Sequence, residues 1–368
     1  MPRVARIRNM LVEKGLDGVY VSSSENRAYF SGFTGSNGHL FVTTEQSVLI
    51  TDPRYTEQAN DETNEWTIVT HGLNAMATIK EQVSLLGAVK IGYETNKLTD
   101  AECIGLKREL PEVEWIPLQD YGLEFRSVKD DEELRRIKTA IHIADRALIR
   151  LAEKIKPGMS EREIQIELEH LMALEGSEGP AFGTIVASGP RASLPHGTAT
   201  DKKVVPGEMV VIDCGATFKG YRSDITRTLW VEVPEPEILA IFHIVLKAQE
   251  AALNAIKPGM TCGDIDRIHR DVFEREGMEP YSLRGLGHGV GLHIHELPRV
   301  VMGSSEKIVP GMVFTVEPGL YVPGVGGVRI EDIVRVTEEG CEVLTNCPKI
   351  LKVHGDGQKG AEKRWSKF

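Results

Sequence analysis

Hydrophobic positions in the first third of the chain follow two different periods. Val4, Ile7 and Leu11 recur at helical spacing ahead of Gly15, which predicts a short amphipathic helix over residues 4–14. Short apolar runs then alternate with polar turns. These runs predict strands at 18–22, 40–43, 47–51 and 89–93, with a further helix at 75–86. The mixture indicates a small α/β domain over residues 1–124.

From Phe125 onward the pattern changes to long amphipathic helices. Ser127 and Asp130 fit a capping box. Apolar residues then follow at spacings of three and four: Ile137, Ile141, Ala144, Leu148 and Leu151. This change predicts a second domain over residues 125–351 and a polar tail over residues 352–368.

The second domain contains an internal repeat. The segment Ile155-Lys-Pro-Gly-Met-Ser160 recurs as Ile256-Lys-Pro-Gly-Met-Thr261, and a long amphipathic helix pattern precedes each copy. A second capping box follows each copy, and each following helix pattern reaches a glycine, Gly176 or Gly277, of the kind that ends helices. Agreement at several landmarks predicts two structurally related halves.

Each half places two carboxylates at the ends of apolar strands. The runs at 209–212 and 312–316 end at Asp213 and Glu317, and the next strands carry Asp224 and Glu331, each two residues after an arginine. If the halves pack about a pseudo-twofold axis, the four carboxylates converge. A buried charge without a partner costs several kcal/mol. Either nearby arginines neutralise these acids (Arg222, Arg227, Arg329 and Arg335), or cations do.

The matched positions in the two halves favour cations over arginines. Oxygen ligands suit hard or borderline divalent ions, and four carboxylates exceed what one ion normally uses. A pair of ions ~3.5–4 Å apart with shared carboxylates therefore fits better.

Histidines near these strands supply further candidate ligands and catalytic groups. Gly287-His-Gly-Val-Gly-Leu-His-Ile-His-Glu296 contains His288, His293 and His295 among glycines that permit close backbone approach. His288 is the predicted metal ligand, whereas spacing alone does not choose between His293 and His295. In the other half, His196 lies upstream of Asp213 much as His295 lies upstream of Glu317.

Composition limits the classes of partner. Lys and Arg number 43 against 54 Asp and Glu, a net charge of −11, which argues against nucleic acid or an anionic membrane as partner. No uninterrupted apolar stretch approaches the ~20 residues of a membrane span, and the N-terminus lacks the apolar block of a signal peptide. The five cysteines form no CxxC pair. We therefore expect a cytoplasmic protein with reduced thiols.

Taken together, these residues make the chain similar to the Xaa-Pro peptidases, prolidase and aminopeptidase P, of the pita-bread metallopeptidase family. The resemblance implies a creatinase-like N-terminal α/β domain and an α+β pita-bread catalytic domain with a pseudo-twofold repeat. Its markers run in order along nearly the whole chain: residues 32–38, 51–59, 182–189 and 194–197, then Ile212–Gly215, Ser223–Thr228, Gly287–Leu292, Thr315–Gly319 and Val328–Asp332.

The resemblance also implies roles for individual residues. Asp213, Asp224 and Glu331 would hold one divalent ion, and Asp224, His288, Glu317 and Glu331 the other, with manganese expected and cobalt or zinc as alternatives. Glu317 would relay a proton, His295 would stabilise the oxyanion, and His196 would contact the scissile peptide. Other positions would support the site or bind substrate: Arg329, Phe182 and, in the N-terminal domain, Arg54. A homodimer is implied, in which that domain shapes the partner's active-site entrance.

Two positions depart from the family pattern. Arg284 stands where many relatives carry histidine four residues before His288, and His293 stands where relatives often carry an acidic or other residue. A guanidinium can clamp a carboxylate in a bidentate manner, so Arg284 favours substrates with a free C-terminus near the cut. The expected function is hydrolysis of proline-containing dipeptides by an Xaa-Pro dipeptidase. The alternatives are an Xaa-Pro aminopeptidase acting on longer peptides and, with less support, a non-catalytic peptide-binding module.

Overall fold

The computed structural model describes residues 3–119 and 121–353, so the predicted tail lies outside the described residues from 354 onward. The chain divides into two units, Met1–Arg126 and Ser127–Phe368.

A mixed sheet with helices forms unit 1. Its six strands lie in the order β4-β3-β2-β1-β5-β6; β1, β2 and β3 pair antiparallel, and the other neighbours pair parallel. The strands are β1 (Gly18–Val21), β2 (His39–Thr43), β3 (Ser47–Thr51), β4 (Thr67–Thr70), β5 (Lys90–Glu94) and β6 (Glu114–Leu118). The helices are α1 (Arg3–Lys14), α2 (Ser24–Ser31), α3 (Thr56–Glu62), α4 (Ala75–Leu86), α5 (Asp100–Glu109) and α6 (Tyr121–Ser127), the last of which ends at the unit boundary.

The described residues of unit 2 form four long helices and several small sheets. The helices are α7 (Asp131–Ala152), α8 (Glu161–Leu174), α9 (Pro236–Ala255) and α10 (Cys262–Arg275). The strands of the first half are β7 (Ile185–Ser188), β8 (Met209–Cys214), β9 (Thr217–Phe218), β10 (Tyr221–Arg222) and β11 (Ile225–Val231). Those of the second half are β12 (Gly287–Gly289), β13 (Glu296–Val300), β14 (Val313–Val316), β15 (Gly319–Val322), β16 (Gly326–Arg329), β17 (Asp332–Val336) and β18 (Cys341–Val343); β19 (Lys352–Val353) then pairs with β11.

The predicted repeat is present in the structure of unit 2. Helices α8 and α10 both begin at a complete capping box, Ser160 with Glu163 and Thr261 with Asp264. Gly158 and Gly259, which belong to the repeated motif, share the same left-handed φ of 88°. The predicted box of Ser127 with Asp130 is wrong: Asp130 itself caps α7 and forms its box with Glu133. Ser and Asp are both good caps, so spacing alone misplaced this helix start by one turn.

The two halves of unit 2 meet along β11 and the segment that joins β16 to β17. The Glu331 amide donates to the Thr226 carbonyl oxygen at 3.1 Å, and the Arg329 amide donates to Thr228 Oγ1 at 3.1 Å. Buried apolar side chains of both halves pack behind these strands, with Ile212 and Phe314 fully buried. The strand ends that carry the predicted carboxylates therefore converge at the junction of the halves.

Helix α9 is long and apolar enough, by length and composition, to cross a membrane. Its residues Ile241, Phe242 and Val245 are buried against the strands and helices of unit 2. Core helices of globular domains commonly have this composition, and the packing accounts for the apolar character of α9.

One buried histidine of α10 is expected to make unfolding pH-dependent. His269 is fully buried, and neither ring nitrogen makes a well-formed hydrogen bond with any residue that the structure describes, although the Asp266 backbone acts weakly to raise its pKa. Burial, reinforced by the charge of Arg270, lowers its pKa to about 3. Between that value and the pKa of about 6.5 in the unfolded chain, the unfolded state binds more protons. The free energy of unfolding therefore falls as the pH drops below 6.5, and His269 contributes about 2 kcal/mol of the loss at pH 5.

Urea unfolding of His269→Phe at pH 7 and pH 5, with chelator present, measures this contribution. The variant should lose about 2 kcal/mol less than the unmodified protein between the two pH values. His170→Gln, at an exposed position on α8, is the matched control and should behave like the unmodified protein. An equal pH effect in the His269 variant and the unmodified protein would contradict the prediction.

Candidate metal centre

Strand ends from both halves of unit 2 position the acidic side chains. Asp213 lies in β8 opposite Thr226 of β11, and Asp224 immediately precedes β11. In the other half Glu317 follows β14, and Glu331 immediately precedes β17. The antiparallel strand pair of each half, β8 with β11 and β14 with β17, thus carries one acid in or next to each strand, as the sequence pattern predicts.

Three of the predicted ligands form a tight group. One ligand atom from each of Asp224, His288 and Glu331 lies within 4.8 Å of the other two. His288 Nε2 is 3.6 Å from Asp224 Oδ2 and 3.3 Å from Glu317 Oε1. Asp213 and Glu317 lie outside the group of three but line one cavity together with Asp224 and His288. The structure therefore brings all five predicted ligands to one place.

The arginines near these strands neutralise only part of this charge. Arg329 Nη2 donates to Asp213 Oδ2 at 2.5 Å. The other three arginines bond elsewhere among the described residues: Arg227 pairs with Asp332, Arg222 donates to the Ala181 carbonyl oxygen, and Arg335 lies 3.9 Å from Glu342. One acid of the four is thus bonded to a guanidinium, so arginine pairing does not explain the cluster.

Burial and mutual repulsion perturb the acids strongly. Burial is the main cause that raises the pKa of Asp224 well above its usual range, and the negative charge of Glu331 is the second. The pKa of Glu331 is also raised well above its usual range, mainly by burial and next by the negative charge of Glu317. Burial is the largest single influence on Glu317 and would raise its pKa, but the hydrogen bond and charge of His288, the charge of Arg329 and the Thr315 hydrogen bond together lower that pKa. Such opposed shifts within one cavity are typical of functional sites.

The donor atoms fit divalent cations. Glu331 Oε1 and Asp213 Oδ1 are buried and accept no hydrogen bond from any described residue, although buried carboxylate oxygens are normally satisfied. Carboxylates with one imidazole suit manganese, cobalt or zinc. A cation would satisfy these oxygens and remove the repulsion that raises the pKa values of Asp224 and Glu331.

Glycine at two positions allows the His288 strand to approach its neighbours. A Cβ atom on Gly287 would lie 1.9 Å from the Thr315 carbonyl oxygen, and one on Gly289 would lie 2.1 Å from the Leu297 carbonyl oxygen. The His288 amide donates to Thr315 Oγ1, whose hydroxyl donates to Glu317 Oε1 at 2.8 Å. Close strand approach thus connects two predicted ligands through one threonine.

A cavity of about 530 Å³ opens onto the acidic cluster. His196 and His295 line it from opposite halves of the repeat, and Phe182, Arg284 and Arg329 contribute to its wall. Apolar side chains, including Ile185 and Ile294, also face it. The lining of the cavity therefore combines carboxylate, imidazole, guanidinium and apolar side chains.

The structure distinguishes the two histidines that spacing alone could not separate. The rings of His288 and His295 pack edge to face with centroids 4.3 Å apart, and His295 lines the cavity. His293 is not among the described residues that line it; its Nδ1 instead accepts the His295 amide at 3.2 Å. Burial, followed by the neighbouring His288, lowers the pKa of His295 to about 4. His295 thus faces the cavity beside His288, and His293 bonds within the turn that carries His295.

Arg54 of unit 1 makes a surface ion pair. Its guanidinium donates to both carboxylate oxygens of Asp52, at 2.9 and 2.8 Å, and its side chain is 74% exposed. A contact between Arg54 and substrate stays a prediction.

Sequence patterns missed several residues that complete the site. Thr226 donates to Glu331 Oε2 at 2.7 Å, and the Tyr321 hydroxyl accepts from Arg329 at 2.7 Å. Lys129 and Glu296 form a buried ion pair at 2.8 Å. Thr226 could have been found from its place two residues after Asp224. No local signal identifies the other pairings, because their partners are distant in sequence or carry no motif of their own.

Comparison with known proteins matches both units. Residues 135–338 match metallopeptidase family M24, and residues 3–128 match the creatinase/prolidase N-terminal domain. An Xaa-Pro dipeptidase of Pyrococcus furiosus is 37% identical over 95% of this chain and 99% of its own length. The structure of an Xaa-Pro dipeptidase from Bacillus anthracis is 40% identical, with a TM-score of 0.93 over 95% of this chain and 99% of that one.

An X-Pro aminopeptidase from Thermotoga maritima is also similar, at 37% identity and a TM-score of 0.89 over 95% of this chain and all of that one. These matches confirm the predicted fold class, a creatinase-like N-terminal domain with a pita-bread catalytic domain. Together with the acidic cluster, they show that the chain belongs to metallopeptidase family M24.

Proposed function

We propose that this protein is an Xaa-Pro dipeptidase that uses two divalent ions. The observation that carries the proposal is the convergence of four carboxylates and His288 beside one cavity, with a single carboxylate bonded to an arginine among the described residues. Relatives of similar length named Xaa-Pro dipeptidase support the substrate class.

The two ions would share ligands from both halves. Asp213, Asp224 and Glu331 would hold one ion, and Asp224, His288, Glu317 and Glu331 the other. We infer manganese because carboxylate oxygens predominate among the ligands, with cobalt or zinc as alternatives that the imidazole also suits. When bound, the ions polarise the substrate carbonyl and lower the pKa of water.

Residues of the chain would handle the proton and the developing charge. Glu317, whose Oε1 accepts from Thr315 at 2.8 Å, would take the proton from the attacking water and return it to the leaving nitrogen. His295 would donate a hydrogen bond to the oxyanion. His196, which lines the same cavity from the other half of the repeat, would contact the scissile peptide.

Arg329 would position the ligands without touching substrate. Its Nη2 donates to Asp213 and its Nε donates to Thr226 Oγ1 at 2.9 Å; Thr226 in turn donates to Glu331. Arg329 thus acts on Asp213 directly and on Glu331 through Thr226. Such supporting hydrogen bonds typically change metal affinity or activity by about 10–100-fold.

A site of this kind suits the bond before proline. The imide nitrogen carries no hydrogen, and the ring restricts the preceding residue, so recognition through backbone N–H groups is weakened. Apolar lining residues such as Phe182 and Ile294 offer a surface for the proline ring. Polar groups of the cavity would then bind the two charged ends of a short substrate.

The alternative is an Xaa-Pro aminopeptidase acting on longer peptides, which the similarity to the Thermotoga maritima enzyme supports. Arg284 favours the dipeptidase. Its side chain is exposed, lines the cavity and makes no hydrogen bond or ion pair with any residue that the structure describes. A guanidinium in this position can bind the free carboxylate of the substrate's proline.

Turnover of Leu-Pro and Leu-Pro-Gly by Arg284→Ala tests this function. We expect kcat/KM for Leu-Pro to fall about tenfold or more through loss of a charge-assisted hydrogen bond, with little change for the tripeptide. Arg275→Ala, at an exposed position of α10 outside the cavity lining, is the control. Unchanged Leu-Pro turnover in Arg284→Ala would remove Arg284 from substrate binding, and faster tripeptide than dipeptide cleavage by the unmodified enzyme would favour the aminopeptidase.

The remaining expectations from sequence stay proposals. The net charge of −11 supports an enzyme that acts on small peptides without nucleic acid or membrane as partner, and we infer a cytoplasmic homodimer. Light scattering of the purified protein would measure the oligomeric state.

A further inference from the structure

The cavity wall contains three guanidinium groups, one of which is engaged by the protein. Arg329 is buried and bonded to Asp213, Thr226, Tyr321 and the Pro195 carbonyl oxygen. Arg284 and Arg299 are exposed and bond to no residue in the described part of the chain. Two positive charges in the wall are therefore available to a substrate.

The acids in the same wall are all engaged. Asp213, Asp224 and Glu317 belong to the metal centre, and Glu296 is paired with Lys129 at 2.8 Å, with both side chains buried. No other Asp or Glu among the described residues lines the cavity. The cavity lining can thus bind an acidic side chain of a substrate through its arginines, but it offers no unpaired carboxylate to bind a basic side chain.

Arg299 is placed close to the reacting end of the cavity. It is the cross-strand partner of His288 in the antiparallel pair of β12 and β13, and directly opposed residues extend their side chains from the same face of a sheet. Leu283 and Val301 line the wall beside the two arginines. A side chain with a short apolar stem and a terminal carboxylate matches this combination.

We propose that Arg299 binds the side-chain carboxylate of an acidic residue before proline, so that the preferred substrates are Glu-Pro and Asp-Pro. This inference rests on the proposed dipeptidase function, in which Arg284 holds the proline carboxylate. A dipeptide of this type presents two carboxylates to two available guanidiniums. Residues with a basic side chain before proline are disfavoured, since they would place a positive charge beside Arg299.

Kinetics with Glu-Pro, Gln-Pro, Leu-Pro and Lys-Pro test the proposal, because Glu and Gln differ in charge but hardly in shape. The unmodified enzyme should prefer Glu-Pro to Gln-Pro by about tenfold in kcat/KM, a ratio that one charge-assisted pair supplies and that added salt reduces. Arg299→Gln should bring the ratio close to one while Gln-Pro and Leu-Pro turnover stay within about twofold. Arg299→Lys should retain most of the ratio, because it keeps the charge.

Arg335→Gln is the matched control, because Arg335 lies outside the cavity lining on β17; it should keep the substrate ratios of the unmodified enzyme. A Glu-Pro to Gln-Pro ratio of one in the unmodified enzyme, or a ratio that survives Arg299→Gln, would overturn the proposal. An equal loss for all four dipeptides would also overturn it, by assigning Arg299 to the proline carboxylate. If the unmodified enzyme cleaves no Xaa-Pro dipeptide, the proposed function itself fails.

Discussion

Replacement of Asp224 by asparagine is expected to abolish turnover and ion binding while stabilising the ion-free protein. Asp224 is buried beside Glu331 and bonds to no arginine in the described structure. Removing a residue that only hydrogen-bonds to a metal ligand typically lowers metal affinity or activity by about 10–100-fold. Removing a ligand shared by both ions should therefore lower metal affinity and activity by more than about a hundredfold. Without ions, the same change removes one charge from a crowded, desolvated cluster, and the free energy of unfolding should rise by on the order of 1–3 kcal/mol.

Elemental analysis, dipeptide turnover and urea unfolding with and without manganese measure these effects. Asp266 provides a matched control, because it too is buried and burial raises its pKa, but it is bonded to Arg270 at 2.6 Å. Asp266→Asn should lower stability in both conditions, because it leaves the charge of buried Arg270 without its carboxylate partner, and it should leave ion binding intact. If Asp224→Asn instead destabilised the ion-free protein as Asp266→Asn does, or kept its ions and activity, the assignment of Asp224 as a shared ligand would be wrong.

The four acids of the metal centre could be predicted from the sequence. Asp213, Asp224, Glu317 and Glu331 were predictable because each ends or precedes an apolar strand and recurs in the other half of the repeat. The repeat was predictable because proline, glycine and capping residues impose local backbone geometry, and the same set recurs in both halves. Both signals are short-range, which is why they could be read without a structure.

Other parts of the fold lack such signals. Strand β4 is partly exposed throughout its length and shows no clear apolar alternation, and helix α5 buries a single residue, Leu106. Their positions depend on the rest of unit 1, and the sequence did not predict them. The choice between His293 and His295 likewise depended on the turn before β13, whose backbone is not extended.

Pairings between distant charges were the least predictable. Nothing in the order of residues indicates that Arg329 bonds to Asp213 while Arg227 bonds to Asp332. Lys129 and Glu296 are separated by 167 positions. Such ion pairs depend on the packing of the whole unit. Some of them position the predicted catalytic groups.

Replacement of Lys129 by methionine is expected to destabilise unit 2 and to slow turnover without removing the metal ligands. Lys129 Nζ lies 2.8 Å from Glu296 Oε2, and both side chains are almost inaccessible to water. Glu296 Oε1 accepts the His293 amide at 3.1 Å, and Glu296 directly follows His295. Removing one partner of a buried pair typically costs about 3–5 kcal/mol, and here the loss would also release the turn that carries His295.

A double-mutant cycle with Glu296→Gln separates this pair from a general packing effect. Lys129→Met with Glu296→Gln removes both charges, and the Gln carbonyl can still accept the His293 amide, so the double variant should be more stable than Lys129→Met alone. The coupling energy should exceed about 1 kcal/mol, since contacting charges are not additive. We also expect kcat to fall in Lys129→Met and to recover in the double variant, with metal content unchanged in both. Additive losses of stability would show that Lys129 does not act through Glu296, and recovered stability without recovered kcat would show that the pair does not position His295.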